Sequence, residues 1–123
     1  IRMIFNKLIP ELSVSDFEVS LAFYKKIGFK VEYERKENKF AMLSFQGSQI
    51  MIEEVNDHWK TGELEKPFGR GINFQIRVED VEEIFKRIPK ENMFRNIEEA
   101  SYRKDKEILK QKEFLVNDRI HVE

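Results

Sequence analysis

A strand that runs into an aspartate and then a helix occurs twice in this chain, and that repetition constrains the fold more than any other feature. Val14-Ser15-Asp16-Phe17 returns as Val78-Glu79-Asp80-Val81, an offset of 64 residues that also sets Leu12 on Ile76 and Leu21 on Phe85. Asp suits the cap position because its carboxylate accepts from the orphan N–H groups of the first turn. After Asp16, the residues Phe17, Ser20, Leu21 and Tyr24 recur at helical spacing, and Gly28 stops the helix with Lys25 and Lys26 in its last turn, where cations suit the dipole. After Asp80, Val81, Ile84, Phe85 and Ile88 form one face and Pro89 helps to end it. Capped helices after strands are common, so coincidence is the alternative to a true repeat.

The segments between these starts alternate as strands do. Residues 8–15 alternate after Pro10, and 29–35 set Phe29, Val31 and Tyr33 against Lys30, Glu32 and Glu34. Lys36-Glu37-Asn38 predicts a turn, and residues 40–45 and 49–55 predict two strands around a Gln46-Gly47-Ser48 hairpin turn. A polar loop with Trp59, Gly62, Pro67 and Gly69 fills 56–70, and 72–78 then alternates strictly. Past the second helix the pattern weakens, with candidate strands at 92–96, 99–106 and 112–116. The expectation is an α+β fold of two βαβββ modules with curled mixed sheets, about 5–55 and 71–123, joined by the linker 56–70. The 123 residues fit one domain.

Strand alternation also assigns faces. Leu12, Val14, Phe74, Ile76 and Val78 form the apolar side expected under the helices, which leaves Ile9, Glu11, Ser13, Asn73, Gln75 and Arg77 on the other. Those polar residues either line a cup or face water, and the pattern alone leaves both open.

Composition removes several kinds of chemistry. The absence of Cys excludes disulfides, thiolate metal sites and a cysteine nucleophile, and two His exclude a three-histidine site within one chain. With 22 Lys+Arg against 23 Asp+Glu, the net charge of −1 argues against a nucleic-acid partner. The 41% apolar share with 11 Phe speaks against disorder, even with 37% charged residues. No apolar stretch approaches the roughly 20 residues of a membrane-crossing helix. Ile1-Arg2-Met3-Ile4-Phe5 lacks the apolar core of a signal peptide, and with no Cys the expected location is the cytoplasm. No serine has a histidine signature beside it, and Gly69-Arg70-Gly71 precedes a strand, whereas phosphate loops open a helix. Glu53 and Glu54, adjacent on one strand, point to opposite faces and make no acid/base pair.

Several runs of residues resemble a known family. Residues 10–16 (Pro-Glu-Leu-Ser-Val-Ser-Asp), 20–24 (Ser-Leu-Ala-Phe-Tyr) and 27–29 (Ile-Gly-Phe) resemble the opening of the glyoxalase/bleomycin resistance family, the vicinal-oxygen-chelate superfamily. Phe40-Ala41-Met42-Leu43 and Met51-Ile52-Glu53-Glu54 look like its hairpin. The stretch from Trp59 through Pro67-Phe68-Gly69-Arg70-Gly71 to Gln75 looks like the bleomycin-resistance branch, and Glu98-Glu99, Tyr102-Arg103 and Phe114 to Asp118 extend the likeness, so that it covers residues 8–118. One departure stands out: the family follows its Asn-Asp with a Pro-(Asp/Asn)-Gly-Tyr turn, whereas Asp118 runs directly into Arg119-Ile120-His121-Val122-Glu123.

The resemblance implies a homodimer that sequesters a glycopeptide antibiotic of the bleomycin type in a groove between subunits, without chemistry. Other branches use a divalent metal as lyases, dioxygenases or thiol transferases, and these are the alternative. Their first and third ligand positions fall on Ile9, which cannot ligate, and Asn73, a poor ligand for a transition metal. The second falls near Glu53 and the fourth near His121. At most two of four positions are ligand-capable, where catalytic sites want about three protein ligands. No metal, cofactor or catalytic residue is therefore expected. The acids Glu53, Glu54, Asp57, Glu63 and Glu65 crowd residues 50–66 near Trp59, Phe40, Phe45, Tyr33 and Phe68. Carboxylates with stacking aromatics suit a large cationic aromatic ligand. The expected ligand site is Trp59, Asn73, Gln75 and Arg77, with Glu11 and Glu53 supplying negative charge and Arg77 at the rim or paired with an acid.

Overall fold

The computed structural model describes residues 4–57, 62–65, 68, 71–116 and 120–122. The chain divides into two compact units, Ile1–Phe68 and Gly69–Glu123. The first contains β1 (Glu11–Val14), α1 (Phe17–Ile27), β2 (Lys30–Arg35), β3 (Phe40–Phe45) and β4 (Ser48–Glu54), and the second β5 (Phe74–Ile76), α2 (Val81–Arg87), β6 (Met93–Lys104), β7 (Glu107–Val116) and β8 (Ile120–Val122). Each unit is a βαβββ module with one four-stranded mixed sheet. The orders, β1-β4-β3-β2 and β5-β8-β7-β6, are the same permutation. In both, the strand before the helix runs parallel to the last strand and the remaining pairs are antiparallel. The repeat seen in the sequence is thus a repeat of topology.

The two helix starts form as their Asp residues dictate. Asp16 Oδ1 accepts from the Val19 amide and Asp80 Oδ1 from the Glu83 amide, each at 3.2 Å. Gly28 ends α1 with a φ of 132°, which a side chain would resist, and its N–H returns to the Tyr24 carbonyl. Gln46 and Gly47, at φ 46° and 83°, form the tight β3–β4 turn, since two left-handed residues match the twist of a hairpin.

In the first module α1 buries Phe17, Leu21, Phe23, Tyr24 and Ile27. Rings continue this core at centroid spacings of 5.3 Å (Phe23–Tyr24), 5.6 Å (Tyr24–Phe29) and 5.4 Å (Phe29–Phe45). Ala41, Met42, Leu43 and Ile52 of the sheet are fully buried. In the second module the buried apolar side chains among the described residues are Ile76, Ile84, Ile88, Phe114 and Val116, with Phe85 edge-on to Phe114 at 5.4 Å.

The structure refines the sequence reading at three places. β1 and β5 are shorter than the alternating runs that contain them. The candidate strands at 92–96, 99–106 and 112–116 are two long strands, β6 and β7, joined by a two-residue turn at Asp105-Lys106. Register shifts between Met93 and Glu98 hide the continuity of β6, and Asp105 at φ 54° puts Lys106 in the turn instead of a strand. The last strand keeps a defined register despite the missing turn motif: Ile120, His121 and Val122 pair with Phe74, Gln75 and Ile76.

Candidate functional site

Register decides which side chains share a face, because residues directly opposite one another in a sheet project to the same side. In the first module one row reads Glu11, Met51, Met42, Tyr33 and the next Ser13, Glu53, Phe40, Arg35. Glu11 and Glu53 therefore lie on one face, on adjacent strands. Glu11 is exposed and Glu53 half-buried. Asn56 Nδ2 donates to Glu53 Oε1 and, at 3.0 Å, to the Glu54 carbonyl, which latches the end of β4 and orients Glu53.

The same face carries a cation–aromatic stack. The Arg35 guanidinium sits 4.5 Å from the centroid of Phe40 and 5.8 Å from that of Tyr33, and the two rings are 5.9 Å apart. Phe5 meets the edge of Tyr33 at 6.5 Å. The segment bearing Phe5 is held by Asn6 donating to Gln49 and to the Gly47 carbonyl, and by Gln49 donating to the Ile4 carbonyl. Phe40 is buried and has a cation of its own, so it offers no open ring to a ligand. Tyr33 and Phe40 stood out as neighbouring aromatics in the sequence. Arg35 did not, since its stacking depends on a β2–β3 register that shifts between Val31 and Tyr33.

Glu54 faces the other way and serves the fold. Its Oε2 accepts from the Phe17 amide at 3.1 Å, the first N–H of α1, and its Oε1 lies 3.1 Å from Lys39 Nζ. The Phe17 amide first, then Lys39, holds the carboxyl below its usual range. One of the five acids of residues 50–66 is thereby a helix anchor. Glu32 is likewise committed: the Ser44 hydroxyl, donating at 2.5 Å, and then Lys30 lower its carboxyl.

In the second module Asn73, Gln75 and Arg77 are all exposed, while Phe74 and Val78 are half-buried and Ile76 is buried. The predicted division of this segment into an apolar and a polar side holds. β8 sets His121 opposite Gln75 just as β4 sets Met51 opposite Glu11, so by the repeat His121 corresponds to Met51. The counterpart of Glu53 is position 123, which with Trp59 and His58 lies outside the described residues. The structure brings Glu11 and Glu53 together in one unit and Asn73, Gln75 and Arg77 together in the other. No group of three metal-capable side chains occurs among the described residues. A concavity of about 550 Å³ lies at the β6–β7 tip, lined by residues that include Ser101, Tyr102, Asp105 and Ile108. All of residues 101–110 are exposed, so it is an open surface hollow, remote in the fold from every predicted ligand residue of its own module. No helix among the described residues is long and apolar enough to cross a membrane.

Solved structures share this architecture. A glyoxalase/bleomycin resistance protein/dioxygenase from Alicyclobacillus acidocaldarius is similar over 95% of this chain and 89% of its own, at 18% identity and a TM-score of 0.61. A bleomycin-binding protein complexed with bleomycin is similar over 96% of this chain and 95% of its own, at 14% identity and a TM-score of 0.56. A superfamily member from Vibrio splendidus 12B01 is 31% identical over 91% of this chain and 90% of its own, with a TM-score of 0.39, too loose a superposition to add to the assignment. No protein-family model matches the chain, and no curated protein does. The chain has the glyoxalase/bleomycin resistance fold.

Proposed function

We propose that the chain is a member of the glyoxalase/bleomycin resistance superfamily that binds a small molecule without transforming it. The ligand class is a large, cationic, aromatic-bearing antibiotic of the bleomycin type, sequestered by a homodimer. The observation that carries this reading is the placement of Glu11 and Glu53 on one sheet face, Glu53 half-buried and oriented by Asn56. A carboxylate fixed in place attracts a cation at lower entropic cost than a mobile one. The fold likeness to a protein that holds bleomycin supports the ligand class. Trp59, Asn73, Gln75 and Arg77 are the further residues proposed to contact the ligand, Trp59 by stacking.

A metal-dependent lyase, dioxygenase or thiol transferase of the same fold is the second reading, favoured by the register that keeps His121 opposite Gln75. Ile9 at the first ligand position opposes it, since its side chain has no donor atom. Elemental analysis of purified protein separates the two. The binding reading expects no stoichiometric transition metal, and quenching of the single Trp on titration with bleomycin. About one zinc, nickel, iron or manganese per chain, lost in Glu53→Ala, would replace it with the enzyme reading.

A further inference from the structure

Arg35 stands opposite Phe40 across β2 and β3, and Tyr33 lies two residues before it on the same face. This register sets the guanidinium 4.5 Å from the Phe40 centroid and 5.8 Å from the Tyr33 centroid. A cation–π contact fixes the group in place without giving any of its five N–H donors an oxygen acceptor. Phe40 beneath it is 3% exposed, whereas Arg35 itself is exposed. The cation is thus anchored on a buried ring and open to solvent beyond it.

Neighbouring carboxylates do not supply the missing acceptor. Among the described residues the Arg35 guanidinium makes no ion pair and no hydrogen bond. Glu53 shares its cross-sheet row but lies two strands away, about 10 Å at the usual strand spacing. Asn56 holds Glu53 at the end of β4. Glu32 is taken by Ser44 and Lys30, and Glu54, on the opposite face, by the Phe17 amide and Lys39. Glu34 stands opposite Ala41 and so projects to the other side of the sheet. Two opposite charges therefore share one row, each fixed by its own partner and neither neutralising the other.

A guanidinium held this way is prepared for an oxyanion. Its planar fork matches two oxygens of a carboxylate, sulfate or phosphate, and bonds of that charge-assisted kind are the strong class. A side chain already immobilised on rings also loses less rotamer freedom when it binds. We propose that Arg35 is an oxyanion subsite, in which the guanidinium that Phe40 and Tyr33 hold in place takes a carboxylate, sulfate or phosphate group of a small molecule by its fork. The face then sorts a bound molecule by polarity, with its cationic part towards Glu53 and its anionic part towards Arg35. That orientation rests on the proposed cation site; the anion subsite does not.

Inorganic phosphate, titrated at constant ionic strength into isotope-labelled protein and followed at the backbone amides of residues 33–36, tests the subsite. The wild type should give saturable shifts in the millimolar range. Arg35→Lys keeps the charge and loses the fork, so binding should weaken about tenfold, and Arg35→Gln should abolish it. Tyr33→Leu keeps Arg35 but removes one of its two rings, and should weaken binding about threefold. Lys36→Gln removes the adjacent cation without touching the stack, and should leave the affinity within about twofold, since an exposed charge is largely screened. Sulfate and acetate titrations then show which oxyanion the fork prefers. No saturable shift in the wild type, Arg35→Lys binding as well as wild type, or Lys36→Gln losing as much as Arg35→Lys would each overturn the proposal, the last by reducing it to diffuse surface charge. A protein that binds phosphate through Arg35 but not bleomycin keeps this subsite and loses only the proposed ligand.

Discussion

The two modules share one topology and use it differently. The first closes on itself: an eleven-residue helix buries five side chains, and strands of six or seven residues are covered along β3. The second has a seven-residue helix with Ile84 as its buried residue, and its strands of twelve and ten residues are exposed throughout residues 101–110. Topology here is set by the repeated strand-cap-helix start and the parallel return strand. Core size is set separately, by how many helix positions are large and apolar. Among the described residues, the same topology thus carries a larger buried core in the first module than in the second.

The sharpest test of that contrast compares repeat-related positions. Phe17 is 2% exposed, while its counterpart Val81 is half-buried. Phe17→Ala should cost about 3–5 kcal/mol and Val81→Ala about 1 kcal/mol, measured by urea unfolding. Equal losses would mean that the modules are energetically alike and the contrast is only one of length.

A smaller effect is expected at the caps. Asp16→Ala and Asp80→Ala should each cost about 1 kcal/mol. Asp16→Ala leaves Glu54 still accepting from the Phe17 amide, whereas α2 is so short that losing Asp80 removes much of its start. Amide exchange should accelerate more along α2 in Asp80→Ala than along α1 in Asp16→Ala.

The smallest effect concerns acid. Because the folded state holds the Glu54 carboxyl below its usual range, its charged form stabilises the fold at neutral pH, and that contribution disappears as pH falls through the lowered value. Glu54→Gln should therefore flatten the acid limb of the stability profile and leave its alkaline limb unchanged. An unchanged acid limb would remove Glu54 from the anchoring of α1.

What could be read from the sequence was what depends on neighbours along the chain. Both Asp caps, the Gly28 stop and the opposite faces of Glu53 and Glu54 follow from local geometry, and all appear in the structure. The continuous β6–β7 arm did not show, because residues 98–112 bury neither face and so leave no apolar alternation to follow. Arg35 over Phe40 was hidden for a different reason: it needs a strand register that a bulge displaces. The Asn56 latch on Glu53 is only three residues long, and a polar Asn just past a strand end was the signal available for it.

The central claim is that this chain holds a bleomycin-type ligand through fixed carboxylates and a stacking tryptophan. Calorimetric titration of wild type, Trp59→Ala and Glu53→Gln with bleomycin tests it directly. Truncating a stacking aromatic at a binding site costs about 2 kcal/mol or more, so Trp59→Ala should weaken binding at least tenfold, with Glu53→Gln weakened as well and both variants folded. Equal affinity in all three proteins would contradict the site, and no heat of binding in the wild type would contradict the function.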